Sequence, residues 1–306
     1  MEDYPKTLLE FEQRFATEEA SLDYLFQLRW PDGFRCPRCG HRQAWAMKWN
    51  LYRCACCHFL TSATAGTIFQ DTKKPLRLWF RAIWHLTSQK YGANALGLQR
   101  VLGLGSYHTS WTWLHKLRRA MVRPGRDRLS GTVQVDETYI GGEKPGKRGR
   151  GAAGKALVVV MVEVKEGKIG RIRLRRVPDA SGPSLKGAVK DGVDLGTTVH
   201  TDGWEGYAGL SKTGYVHEVV RESADVGKNL LPKVNRVIAL LKRWLLGTYQ
   251  GRLQPPHPDY YLDEFTFRFN RRTSRSRGKL FYRLVQQAAA IAPVPAKDIR
   301  GGTADL

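Results

Sequence analysis

Acidic charge is what this 306-residue chain has little of: 28 Asp and Glu stand against 50 Lys and Arg, a formal net charge of +22. The imbalance points to a polyanionic partner, because neutralising phosphates releases counterions and drives association. Long apolar runs are missing, which excludes a membrane-spanning helix. No basic amphipathic anchor is present either, so nucleic acid is favoured over a membrane surface. The opening MEDYPKTLLEFEQRF has no apolar core, which excludes a signal peptide and points to the cytoplasm. No internal repeat is found. Cysteine is absent outside Cys36 to Cys57, where all five are crowded. In a reducing compartment that clustering favours a metal over disulfides.

What is there is ordinary globular composition, 42% hydrophobic and 10% aromatic, so general disorder is excluded. Residues 5–30 repeat Leu8, Leu9, Phe11, Phe15, Leu22, Tyr24, Leu25 and Leu28 at helical spacing, which predicts N-terminal helix. Cys36-x-x-Cys39 and Cys54-x-x-Cys57 then form two knuckles 14 residues apart. Each turn places two thiolates on one ion, and two facing turns make a closed, structural, tetrahedral zinc site. Cys56 is the spare thiol. Arg35, Arg38, His41, Arg42, Lys48 and Arg53 surround this ribbon and make it a candidate DNA-contacting module.

Residues 72–121 read as three helices, with Thr72 as N-cap of the first and Ser106 as cap of the last. Helix, glycine-containing turn and helix is a helix-turn-helix pattern, whose outer face would carry Lys116, Arg118 and Arg119 to DNA. The bland alternative is a small helical domain with those cations solvated.

After the linker RPGRDRLSG the pattern turns to strands at 132–138, 156–164, 170–177 and 197–202, with YVHEVV as a fifth. The stretch 170–177 alternates as an edge strand does, and 181–190 reads as helix. Helices at 230–246 and 259–272 follow. Three antiparallel strands, a helix, two further strands and a terminal helix make an α/β, ribonuclease-H-like order with a mixed sheet. The loop GGEKPGKRGRGAAGK between the first two strands is basic and free to meet a phosphate backbone.

VQVDETY and VHTDGW both read as strand, then aspartate, then turn. Asp136 and Asp202, 202 − 136 = 66 positions apart, meet if those strands are neighbours. Two carboxylates at adjacent strand ends suit a pair of Mg²⁺ or Mn²⁺ ions, hard cations that take oxygen ligands. Taken singly, each acid is as well explained as a turn residue. Glu137 is a rival to Asp136, but alternation lets only one of them face the site. On the helix LPKVNRVIALLKRWLLGTY, Asn235, Ala239 and Lys242 share a face. Asn235 can offer an amide oxygen and Lys242 a cation for phosphate.

The ordered motifs CPRCG…YRCACC, GTIF…KKPLRLWFRAIW, QVDETYIGG, HTDGWEGY, LLKRWLLGTYQG and YLDEFTFRFNRR together resemble a group of bacterial insertion-sequence transposases. That group joins an N-terminal zinc ribbon to a DDE-type catalytic domain with the signature Asp, Asp, Asn or Glu, then Lys. The resemblance covers about residues 10–290. It implies an enzyme, nucleoid-associated in the cytoplasm, that binds double-stranded DNA at its element's inverted repeats, nicks it with Mg²⁺ or Mn²⁺ and joins it to target DNA. It also implies homo-oligomers on that DNA and no membrane partner. Carried over, Asp136 and Asp202 are metal ligands, Asn235 the third position and Lys242 the companion cation. The resemblance divides the chain into N-terminal helices (1–30), zinc ribbon (31–70), helix-turn-helix (71–125), catalytic domain (130–290) and tail (291–306). Asn235 departs from the glutamate of many members, so Glu218, Glu222 or Asp225 would be sources of a further acid. A silent DNA-binding derivative and a structure-specific nuclease are the competing expectations.

Overall fold

The computed structural model describes residues 2–123, 125–141, 155–220, 230–250 and 257–301. Chain contacts divide the molecule into two compact units, Met1–Arg123 with Ser274–Leu306, and Pro124–Thr273.

The first unit opens with two helices, α1 (Leu8–Arg14) and α2 (Glu18–Arg29). The helical stretch expected over 5–30 forms as these two helices. Thr17 accepts a hydrogen bond from the Ala20 amide and caps a new helix, as threonine side chains do at an N-terminus. The ribbon strands β1 (Ala44–Met47), β2 (Leu51–Cys54) and β3 (Leu60–Ser62) pair antiparallel in that order. Arg29 ties the ribbon to α2 by donating to the Ser62 and Ala63 carbonyls, both at 2.9 Å.

Helices α3 (Leu76–Ser88), α4 (Ala95–Leu102) and α5 (Tyr107–Arg119) follow. Thr72 does not cap α3. Its hydroxyl accepts from the Lys74 amide and the Trp79 indole, while Glu18 of α2 accepts from the first-turn amides of Leu76 and Arg77. A carboxylate there satisfies orphan donors and complements the helix dipole. Ser106 stands at the N-cap of α5 but makes no side-chain cap bond. Gly103 at φ 62° supplies the left-handed turn between α4 and α5, a conformation glycine adopts without strain.

The second unit holds β4 (Thr132–Ile140), β5 (Ala156–Lys165), β6 (Lys168–Val177), α6 (Gly182–Gly192), β7 (Thr198–Thr201), β8 (Val216–Val219), α7 (Pro232–Tyr249) and α8 (Pro258–Phe269). The sheet runs β6-β5-β4-β7-β8. The first three strands are antiparallel, and β7 and β8 join parallel. This is the ribonuclease-H-like order, with β6 at the edge as its alternation predicts. Strand β5 is apolar throughout, Val158 to Val162, because both its faces are covered. On one face Val158, Val160 and Val162 meet Val234, Val237 and Leu241 of α7 and Phe265 of α8. On the other, Val133, Val135, Val159 and Met161 meet Leu185 and Val189 of α6 and Tyr207.

The chain then returns to the first unit through α9 (Arg277–Ala290) and the short α10 (Ala296–Gly301). Phe281 of α9 is fully buried, with its ring 5.3 Å from Phe11, 5.6 Å from Phe15 and 5.6 Å from Phe80. Such pairs add about 0.5–1.5 kcal/mol each beyond area burial. The second compact unit ends at Thr273, and the aromatic face of α9 has its partners on α1 and α3 of the first. Among the described residues no helix is long and apolar enough to cross a membrane.

Candidate active site and metal centre

The ribbon gathers Cys36, Cys39, Cys54 and Cys57 so that all four sulfurs lie within 4.8 Å of one another. Cys36 and Cys57 are 3.6 Å apart at sulfur, as are Cys39 and Cys54. Four Zn–S bonds of about 2.3 Å in a tetrahedron need sulfur separations near 3.8 Å. The donor set therefore fits zinc. Burial pushes the Cys36 thiol up, but the backbone N–H groups of Cys39 and Arg38 hydrogen-bond its sulfur and bring it down to about 6. Cys54 is lowered in the same way, against burial, by the amides of Cys57 and Cys56. Cys56 contributes that amide while its own thiol is exposed and stands outside the group.

In the second unit the parallel register fixes the carboxylates. Thr132 faces Thr198, Val133 faces Val199 and Gln134 faces His200, a constant offset of 66 (198 − 132). Asp136 and Asp202 each stand two residues beyond the last of these pairs, Gln134 with His200. Adjacent strands lie about 4.8 Å apart. Asp136 does not end its strand, as expected from the sequence. It stands mid-β4, opposite Val160, because Thr138, Tyr139 and Ile140 go on pairing with β5. Pairing with β7 ends at Gln134, two residues before Asp136.

Alternation sorts the two acids of β4. Val133 and Val135 face the α6 side, and Glu137 follows them there, with its Oε2 accepting from the Tyr207 hydroxyl at 3.0 Å. Gln134 and Asp136 take the α7 side. The Gln134 Oε1 accepts from the Lys233 and Val234 amides at 3.0 and 3.2 Å, which caps α7 from the sheet. Leu231 at its N-cap has no side chain to do so. Asn235 is the next residue along, and its amide makes the first-turn bond to the Leu231 carbonyl. The sheet thus docks the start of α7 beside the strand carrying Asp136. Val234, Val237, Ile238 and Leu241 form the buried stripe, and Asn235, Ala239 and exposed Lys242 lie along its edge.

Both aspartates are held by local amides: Glu137 donates to Asp136 Oδ1 at 2.8 Å and Trp204 to Asp202 Oδ1 at 2.9 Å. Gly203 between them has φ +84°, and a Cβ there would lie 2.6 Å from Val219 Cγ1. Only glycine lets the chain turn after Asp202. Thr201 Oγ1 bonds His217 Nε2 at 2.9 Å, and His200 pairs with Glu218 at the same distance. Buried Tyr207 is pushed far above the ordinary phenol range, by burial first and then by Glu137, Asp136 and Asp202. One hydroxyl therefore feels all three carboxylates.

Of the other residues expected at the site, Glu218 is engaged with His200, while Glu222, Asp225 and most of the basic loop GGEKPGKRGRGAAGK lie outside the described residues. Arg118 requires a correction. It is 1% exposed and donates to the Ala93 carbonyl, so it belongs to the core beneath α5 and not to a DNA-facing surface. Lys116 and Arg119 are half-buried, and burial lowers the Lys116 ammonium. Gln134 and Tyr207 were not foreseen. A glutamine on the same strand face as Asp136, two residues before it, is the signal that would have found the first.

Residues 128–270 match the ISXO2-like transposase domain, and residues 16–59 match the transposase zinc-ribbon domain. An uncharacterized protein in transposable element ISH50 of Halobacterium salinarum is 26% identical over 301 residues, covering 90% of this chain and 98% of that protein. Among solved structures, the catalytic core domain of BIV integrase aligns with 48% of this chain and 86% of its own, at 16% identity and a TM-score of 0.31. The simian T-cell lymphotropic virus intasome in complex with PP2A regulatory subunit B56 gamma aligns with 62% of this chain and 70% of its own, at 15% identity and a TM-score of 0.30.

Proposed function

Because the chain belongs to the insertion-sequence transposases that join a zinc ribbon to an ISXO2-like transposase domain, we propose that it binds its element's inverted repeats, nicks the DNA there and joins the freed 3′-hydroxyl to target DNA. The observation that supports this reading is the parallel pairing of β4 with β7, whose last pair, Gln134 with His200, stands two residues before Asp136 and Asp202, with Gln134 bonded to the first turn of α7. Asp136, Asp202 and the Asn235 amide oxygen are the oxygen donors for Mg²⁺ or Mn²⁺. When bound, such a pair of ions supplies an activated attacking oxygen and charge relief at the leaving oxygen of an in-line displacement.

The chain's own residues then divide the remaining work. The amides of Glu137 and Trp204 orient the two carboxylates. Tyr207 keeps Glu137 on the opposite face of the sheet. Lys242, exposed two turns beyond Asn235, takes a DNA phosphate as a point charge. The ribbon's cations, with Lys116 and Arg119, contact the element's double-stranded ends, and homo-oligomers form on that DNA in the nucleoid.

The test combines purified protein with a duplex carrying the element's ends and Mg²⁺. Asp136→Ala and Asp202→Ala should each lower nicking and joining by about a hundredfold or more, as expected when ligands of catalytic ions are lost. Activity that survives either substitution refutes the assignment. A catalytically silent DNA-binding protein is the second reading, favoured by the uncharged amide of Asn235. Under it end-specific binding persists and no cleavage is seen in the unmodified chain. Cleavage of branched DNA without joining would instead mark a structure-specific nuclease.

A further inference from the structure

The second unit contains a cavity of about 280 Å³ that none of the residues discussed so far line, apart from Met161. Its wall is unusually cationic: Arg126 and Arg128 from the segment before β4, and Arg173 and Arg175 from β6, against Asp127 and Asp191. Arg173 pairs with Met161 across the sheet, and Met161 faces α6. The cavity therefore opens on the α6 side, the face that Asp136 does not take. Strand β6 is two strands from β4, about 10 Å away at ordinary strand spacing. It is a separate place from the carboxylates.

Three features make this more than a solvated basic face. Arg173 is 6% exposed, and its guanidinium donates to the carbonyls of Ile172 and Asp127, not to a carboxylate. Among the described residues neither Arg126 nor Arg173 has an ion pair, and Arg175 reaches Asp191 only at 3.7 Å. The cations also repel one another. Burial, then Arg126 and Arg171, bring Arg173 down to about 10, and burial lowers Arg126 as well. Asp263, the carboxyl that draws Arg126 upward, is itself pushed up to about 7 by burial. Buried guanidinium groups short of counter-charge are destabilising on their own. Planar forks that can grip two oxygens each are what phosphate recognition uses.

We propose that the Arg126–Arg128–Arg173–Arg175 cavity is a phosphate-binding site that holds one backbone phosphodiester of DNA, on the sheet face opposite the carboxylates. A DNA segment seated there is a different stretch from the one presented to Asp136 and Asp202. The chain's +22 charge favours a nucleic-acid backbone over a small free anion as the source.

The test uses the full chain with no Mg²⁺ or Mn²⁺ added, so that binding is read without turnover and does not depend on the carboxylate assignment. Under that condition Arg126→Gln/Arg175→Gln is compared with the intact arginines for binding a short duplex over a potassium chloride series. Loss of one phosphate contact should lower the slope of log affinity against log salt by about 0.9 and weaken binding about tenfold at low salt. An unchanged slope and affinity would overturn the proposal. Inorganic phosphate alone is titrated in parallel. A saturable phosphate site that vanishes in the variant while the duplex slope stays fixed would assign the cavity to a free anion and overturn the DNA assignment. Should the double variant fail to fold, Arg128→Gln, on an exposed side chain, carries the same readouts.

Discussion

The hydrogen bonds from α7 to Gln134 make a sharp prediction. Gln134 is 8% exposed, and its single oxygen accepts from both the Lys233 and Val234 amides. Pro232 has no N–H to satisfy, so this side chain serves the orphan donors that remain in the first turn. Losing an N-cap costs about 0.5–2 kcal/mol, and a buried donor left unpaired adds about 1–3 kcal/mol. Half-buried Lys233 can recover water, whereas buried Val234 cannot, so the total for Gln134→Leu should be about 2–3 kcal/mol. For a unit of this size that is a fall of roughly 5–10 °C in melting temperature. Leucine keeps the volume, so the loss reports the hydrogen bonds and not a cavity. Gln134→Glu should lose much less, since a carboxylate accepts both bonds and suits a helix N-terminus. The assay is thermal melting together with amide hydrogen exchange across residues 232–238. Unchanged melting and unchanged exchange in Gln134→Leu would refute the idea that the sheet fixes the start of α7. Nicking measured well below the melting point should fall further than stability does, because Asn235 rides on that turn.

Gly203→Ala forces a side chain into φ +84° and against Val219; it should cost at least about 1–2 kcal/mol and lower activity by displacing Asp202, checked by melting and by nicking assays. Cys36→Ser, or chelation, should remove one zinc per chain and lower the melting temperature of the first unit, whereas Cys56→Ser should leave zinc content unchanged; metal analysis decides both. Asp263 has a folded-state pKa raised by burial to about 7 from an ordinary 3.8. Its contribution to stability is thus full below pH 4 and is lost as pH rises to 7. Asp263→Asn should accordingly raise the melting temperature at pH 8 and change it little at pH 4.

Much of this architecture is written in local pattern. The paired knuckle spacings located the sulfur cluster, and the apolar run Val158–Val162 marked a strand covered on both faces. The parallel pairing of β4 with β7 follows the expected neighbouring of the two aspartate-bearing strands up to Gln134 and His200. Longer-range facts were not legible. The sequence reads as a strand over 132–138, yet β5 offers partners up to Ile140 and extends it. The cationic run at the end of α5 reads as an outer face, but Trp113, Leu114 and Leu117 bury the helix on several sides and take Arg118 with them. An amphipathic helix such as α9 shows that it needs a core without showing which one. The role of Gln134 is not legible locally, because its partners are 99 and 100 positions away.

The return of α9 to the first unit nests one unit inside the other along the chain. During synthesis, residues 124–273 are complete before Phe281 exists, so the unit carrying the aspartates can form while the aromatic pocket of Phe11, Phe15 and Phe80 still lacks its plug. A frameshift or stop after residue 273 would leave that inner unit whole and the zinc-bearing one open. Truncated products would keep the carboxylates and lose the Phe281 plug of the first unit.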